Sequence, residues 1–453
     1  MSSPSTSKEA EATSPSAIDS RLSYMGRALA HRNFRLFFYG QSISLVGTWM
    51  TRIATGWLVY RLTGSALMLG IVGFAGQFPS FLLAPFAGVF IDRTNKHHLL
   101  IFTQVLAMVH SFALAVLTLT NLITIWQVVA LSIFQGLINA FDMPTRQSLL
   151  VELIEDKDDL SNAIALNSSM VNAARLIGPS IGGMLIAAVG EGWCFMTDAV
   201  SYIAVLGSLC AIKITARPRQ SFQGKRVWHE LSEGWTYVSR SRLIRSILLL
   251  LALVSLVGMP YTVLMPVMAD KVLEGGPNTL GLMMAATGVG ALIGALVLAA
   301  RRSVLHLGKY IPLAAIMFGT GLVLFAMSRS LWLSIPLLVV TGLGFITQLA
   351  VSNTLLQTIV DEDKRGRVMS YYVMAFMGTA PFGSLLAGTI AERWGAPLTL
   401  AIGGMGCVLG GIWFFRILPE LREELRPIYR KKGILPEIAT GIQEATELRI
   451  PPE

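Results

Sequence analysis

Residues 88–100 read GVFIDRTNKHHLL. An apolar run of about 20 residues leads into this stretch and another leads out, each long enough to cross a bilayer as a helix. Between them stand Asp92, Arg93, Lys96, His97 and His98, arranged from Gly88 onward as G-x-x-x-D-R-x-x-K. Two greasy segments joined by a short connection carrying both signs of charge describe a chain that turns round at a membrane surface.

Composition agrees. The chain has 453 residues, of which 53% are hydrophobic and 14% charged, whereas a soluble domain carries about 25% charged residues. Most of the surface therefore needs a solvent other than water. The net charge of +9 would favour nucleic acid on a soluble protein. Here it is read as basic loops facing an anionic leaflet, with no nucleic-acid partner. Cys194, Cys210 and Cys407 form neither a disulfide framework nor a metal spacing and read as small apolar packing residues.

Apolar segments recur near 36–60, 66–91, 99–120, 124–146, 166–189 and 194–213, then near 244–268, 279–300, 310–328, 331–357, 369–390 and 397–417. The expectation is an all-α polytopic membrane protein of twelve transmembrane helices in two six-helix halves, 31–213 and 243–418. Residues 1–30, rich in Ser, Thr and Glu without an apolar core, read as a disordered tail and not a signal peptide. Residues 214–242 read as a polar linker with an amphipathic helix at WHELSEGWTYV (228–238), and residues 419–453 as a second tail.

Lys and Arg set the orientation. One family of connections carries Arg32, Arg35, Arg93, Lys96, Arg146, Lys157, Arg240, Arg301 and Arg367, whereas the opposite loops hold little beyond Arg61, Lys271, Arg329 and Arg393. Both termini and the 88–100 turn are thus expected to be cytoplasmic, in a cytoplasmic (inner) membrane. The chain also repeats. RLIGPSIGGMLIAAVGEGW (175–193) and MGTAPFGSLLAGTIAERW (377–394) both run from a Gly/Ala-Pro pair through small residues to an acid and a Trp. Parallel six-helix repeats joined by a linker are one layout of secondary transporters.

Twelve spans in two halves with the 88–96 pattern resemble the major facilitator superfamily. Gly88, Asp92, Arg93 and Lys96 match its signature loop, with Asn95 in place of a glycine. NFRLFFYGQSISLVGTWM, DMPTRQSLLVELI, NAIALNSSMVNAARLIGPSIGG and FMTDAVSYI resemble the bacterial secretion-effector branch that includes the enterobactin exporter. Ser132 stands where the helix 4 motif of that superfamily's antiporters carries arginine. The resemblance implies that Gly88, Asp92, Arg93 and Lys96, with acids at the end of helix 4 such as Asp142 or Glu152, latch the halves together in one facing state. It also implies that Arg175, Gly178, Pro179, Gly182 and Gly183 form the helix 5 motif of exporters. Gly178, Gly182 and Gly183 are expected to let helix 5 pack against a helix of the other half.

Charges inside spans are costly and usually functional. Arg52 and Asp198 lie at similar depth, as do Asp142 and Arg175, so each pair is expected to meet, either as structure or as part of a proton path. Asp142 and Asp198 are the carboxylates placed to carry a proton; His110 is expected to be packed and hydrogen-bonded. The central cavity implied by the fold is lined by helices 1, 4, 7 and 10, which offer Gln41, Ser44, Thr48, Arg52, Gln135, Asn139, Tyr261, Met265, Gln348, Asn353 and Gln357. Such a lining suits an amphipathic small-molecule substrate.

No phosphate-binding loop, nucleophile elbow or metal spacing appears in the sequence, so the expectation is not an enzyme but a transporter with no cofactor, driven by the proton gradient and working as a monomer in the lipid bilayer. The leading reading is proton-coupled export of drug- or siderophore-like molecules. A lipid flippase of the same fold, and a membrane sensor or secretion accessory that moves nothing, are the alternatives.

Overall fold

Polar residues punctuate a continuous series of helices. Gly64, at φ 62°, ends one helix, and Ser65 caps the next by accepting from the Met68 amide. Asn95 accepts from the His97 and His98 amides, and Asp156 from that of Asp158. Each cap satisfies amides that a helix start leaves free. The computed structural model describes residues 27–154, 156–213, 227–301 and 307–431.

Among these residues are twelve long helices and no strand: α1 Arg32–Thr63, α2 Ala66–Arg93, α3 Lys96–Leu119, α4 Ile125–Glu152, α5 Lys157–Val189, α6 Glu191–Ala211, α7 Arg242–Val272, α8 Pro277–Ala299, α9 Leu307–Met327, α10 Leu331–Ile359, α11 Glu362–Trp394 and α12 Ala396–Lys431. Eleven are long and apolar enough to cross a membrane by length and composition. The remaining one, α1, carries Arg32, Arg35, Gln41, Ser44, Thr48 and Arg52. It can be this polar because it packs between α5 and α6.

The two halves use the same packing plan. α1–α6, α2–α4, α3–α6 and α3–α4 recur six helices later as α7–α12, α8–α10, α9–α12 and α9–α10. The halves meet through α2–α11 and α5–α8, which exchange under the same shift. Small residues bring these helices together. A Cβ on Gly70 would lie 2.7 Å from the Ser384 carbonyl oxygen, and one on Gly183 would lie 2.7 Å from that of Pro277. Packing of this kind holds helices together in lipid, where no hydrophobic force acts between them.

α7 and α11 widen into π turns at Val254–Gly258 and Met374–Gly378, shortly before Pro260 and Pro381. Proline cannot donate to the preceding turn, and a π turn absorbs the mismatch. The two widened turns face each other, with the Ser255 hydroxyl donating to the Phe376 carbonyl.

The α2–α3 turn, the start of α1 and the end of α12 lie at one end of the bundle, called the basic end below. At the opposite end Trp126, Trp193, Trp332 and Trp394 are all exposed, as in the aromatic belt of a membrane interface.

Several boundaries differ from expectation. α12 continues to Lys431, and Glu420, in its extension, pairs with Arg242 on α7. Arg27–Ala30 form a 3-10 turn, whose Ala28 amide donates to Asn162. The rest of the expected tails, 1–26 and 432–453, and linker residues 214–226 lie outside the described residues. The linker helix, Val227–Arg240, is docked on α11: Glu233 pairs with Arg367, and Trp235 lies 6.0 Å from Tyr371 between ring centroids.

Candidate transport site

At the basic end, Asp92 belongs to the last turn of α2 and not to the start of α3, and Asn95 takes extended backbone (φ −77°) as the helix cap. Lys96 binds Glu152 at the end of α4 at 2.7 Å, and the His97 Nε2 lies 2.8 Å from the Leu209 carbonyl oxygen. Arg93 is exposed, and a Cβ on Gly88 would meet nothing within 4 Å. Asp142 takes no part in this cluster. It faces α3, where Thr103 and Gln104 donate to it at 3.0 and 2.6 Å, and it pairs with Arg146 one turn along its own helix.

The expected Asp142–Arg175 and Arg52–Asp198 pairs do not form. Asp198 is buried inside the first half, where the hydroxyls of Thr51 and Ser111 donate to its Oδ2 at 2.8 and 2.7 Å. Its Oδ1 has no hydrogen-bond partner. Gly47 makes room for it, since a Cβ there would come within 2.5 Å of that oxygen. A helix residue's depth fixes only one coordinate; Asp198 points to the α1–α3 seam, whereas Arg52 points toward α5. His110 is buried beside Phe134 with its Nδ1 unpartnered, so the expected packing holds but that nitrogen makes no bond.

Arg52 and Arg175 instead share Trp49. Their guanidinium carbons lie 5.2 and 5.1 Å from its ring centroid, within cation–π range. Arg52 sits deep in the bundle yet is exposed to solvent, so it lines a cavity between the halves. That cavity is closed at the end opposite the basic one. There Tyr60 donates to Asp270 at 2.8 Å, and Glu392 accepts from the Ser65 hydroxyl and the Leu67 amide at 2.9 and 3.1 Å. Deeper in, Phe74, Phe78 and Phe81 of α2 pack around Phe382 of α11. Hydrogen bonds join the halves on this side and midway, as Gln77–Ser384 does. Solvent therefore reaches Arg52 from the basic end.

The helix 5 motif divides its work. Gly178 and Gly182 face α1 in their own half, against Trp49 and Ile53, contrary to expectation; Gly183 alone of the three faces α8 across the interface. The reason is the 100° step between successive helix residues, which sends neighbours to different helices.

The profile of the transmembrane secretion effector family matches residues 27–442. The chain belongs to that family. It is a multi-pass membrane transporter of the major facilitator superfamily and not an enzyme. It is 28% identical to the staphyloferrin A transporter of Staphylococcus aureus, over 86% of this chain and 98% of that one. It is 27% identical to the multidrug efflux pump Tap of Mycolicibacterium fortuitum, over 83% and 93%. Among solved structures, a POT family transporter in complex with a thioalcohol-conjugated peptide superposes with a TM-score of 0.70 at 11% identity, covering 86% of this chain and 96% of that one. An inward-facing bacterial homologue of the lysosomal transporter Spinster superposes with a TM-score of 0.67 at 12% identity, covering 88% and 98%.

Within this transporter, the expected cavity residues fall into three groups. Gln41, Ser44, Tyr261, Met265 and Gln348 are buried, Thr48, Gln135 and Asn353 are half-buried, and Asn139 and Gln357 are exposed. Thr48 turns to α6, with its hydroxyl 3.4 Å from that of Tyr202. Gln135 donates to Asn139, and Gln357 to Asn353. Sequence reasoning missed Trp49 and the Tyr60–Asp270 and Glu392 contacts. Glu392 did leave a signal. The acid before Trp in both repeats converges on the α1–α2 connection, Glu191 through Arg61 at 2.7 Å and Glu392 through Ser65.

Proposed function

We propose that this transporter exports small amphipathic organic molecules across the cytoplasmic membrane by proton-coupled alternating access, working as a monomer with both termini in the cytoplasm. The observation that carries the reading is the pairing of a cavity sealed at one end with a carboxylate, Asp198, that is buried without a cation. The basic end faces the cytoplasm under the positive-inside rule, so the cavity is open to substrate from inside. Rocking of the halves about α2–α11 and α5–α8 would break the Tyr60–Asp270 and Ser65–Glu392 contacts and close the basic end. In that state the Gly88–Lys96 turn would meet the other half and act as the latch that its resemblance implies.

A carboxylate buried among hydroxyls is costly to keep charged, and a proton is the counter-charge it can take up. Thr51 links it to α1, the helix that also carries Arg52 into the cavity. Its protonation state is thereby tied to the helix that substrate would touch. The expected relative scale is set by the Staphylococcus and Mycolicibacterium relatives, whose names describe siderophore transport and multidrug efflux. The test is proton movement in everted vesicles on addition of a dye such as ethidium or of a siderophore. Substrate-dependent alkalinisation of the lumen, lost in Asp198→Asn, supports the reading. Equal uptake with the gradient collapsed by an uncoupler rejects proton coupling.

A further inference from the structure

We propose that Arg52 and Arg175, stacked on Trp49, form an anion-binding site in the central cavity, and that the preferred substrates carry carboxylates. This rests on the transport reading above and names the chemistry of its site.

Ionised side chains inside a membrane bundle normally pair with one another. Among the described residues, these two guanidiniums have no acid within ion-pair distance. The acids of the surrounding helices are committed elsewhere: Asp198 to Thr51 and Ser111, Asp142 to Arg146, Asp270 to Tyr60 and Glu191 to Arg61. Arg175 also keeps a buried Nε–H without an acceptor. Both guanidinium carbons lie within 5.2 Å of one ring centroid, so no more than twice that distance separates two like charges. The indole face offsets part of their repulsion. It supplies no acceptors for the N–H groups, and a guanidinium presents a planar fork matched to carboxylate oxygens.

The arrangement is held in place. A Cβ on Gly178 would lie 2.5 Å from the Trp49 Cβ, so the close approach of α5 to α1 seats Trp49 against the helix that carries Arg175. Arg52 comes from α1 and Arg175 from α5, and α1 packs on α7 of the other half, so a bound anion would sit beside the seam between the halves. An anion there neutralises charges that otherwise repel, and it does so where movement of the halves can alter the site.

The test uses the full-length chain in lipid nanodiscs and isothermal titration with citrate, its neutral triethyl ester and ethidium. Citrate is expected to bind at least about tenfold more tightly than triethyl citrate, the discrimination of one or two charged hydrogen bonds. Arg52→Gln and Arg175→Gln should each weaken citrate by about tenfold or more. Arg52→Lys, which keeps the charge and loses the fork, should fall between wild type and the glutamine variants and also serves if a glutamine variant fails to fold. Citrate binding no tighter than its ester, or unchanged in all three variants, would overturn the proposal. Vesicle assays separate the two readings. Arginine-dependent citrate binding without proton movement upholds the anion site and sinks proton-coupled export. Proton-coupled ethidium efflux together with citrate binding unchanged in all three variants does the reverse.

Discussion

Replacing Gly183 by alanine adds one methyl group at the α5–α8 crossing. That Cβ would stand 2.7 Å from the Pro277 carbonyl oxygen, 2.9 Å from the Gly281 Cα and 3.2 Å from its nitrogen. All three are backbone atoms of α8, so no side chain can swing aside. The helices must part by roughly 0.5–1 Å, a gap that forfeits a quarter to a half of each dispersion contact along the seam. Overpacking of this sort costs about 1–3 kcal/mol. Because Gly183 and Gly281 lie near the sealed end of their helices, the cost falls on the state in which that end is closed. The population of that state should drop about 5–150-fold relative to the opposite-facing one. Maleimide labelling of Asn139→Cys, an exposed position on α4, reads this population in a Cys210→Ser background, since Cys194 and Cys407 are buried. Labelling should slow in Gly183→Ala and stay unchanged in Gly207→Ala, where a Cβ would meet nothing within 4 Å. Wild-type labelling in Gly183→Ala at equal abundance would refute the reasoning, because the seam would then be too loose to set the facing state.

Three further outcomes are expected. Asp198→Asn should reach wild-type abundance, since an amide oxygen still accepts from Thr51 and Ser111, but should move no protons in everted vesicles; unchanged proton flux would remove Asp198 from the coupling path. Tyr60→Phe deletes a hydrogen bond to a carboxylate, worth about 1.5–3 kcal/mol, and should slow Asn139→Cys labelling as Gly183→Ala does, with equal labelling counting against the Tyr60–Asp270 gate. Arg52→Ala and Asp198→Ala should add in their effects on thermal stability to within about 0.5 kcal/mol, as unconnected sites do; rescue in the double variant would restore the ion pair that the geometry denies.

Hydrophobic run length and the placement of Lys and Arg are properties of the chain itself, because a bilayer imposes one length and one polarity on every span. They were enough for the helix series; the two-fold repeat was legible in the matching segments 175–193 and 377–394, and the family only through the resemblance of the 88–96 motif and its companion stretches. Even α1, the most polar of the series, was legible as the apolar segment 36–60. The turn at Gly88–Lys96 was legible as a motif, and Lys96–Glu152 followed from adjacency. The charge partners were not. Reading along a helix gives depth, so Arg52 with Asp198 and Asp142 with Arg175 looked well matched. Partner choice depends on azimuth, which appears only when helices pack. Asp142 turns to α3 and to Arg146 one turn away, Asp198 turns to hydroxyls of α1 and α3, and Gly178 and Gly182 turn to α1 while Gly183 turns to α8. Among the described residues, packing left Arg52 and Arg175 without an acid and gathered both on Trp49, an arrangement spread over two helices that no spacing in the sequence encodes.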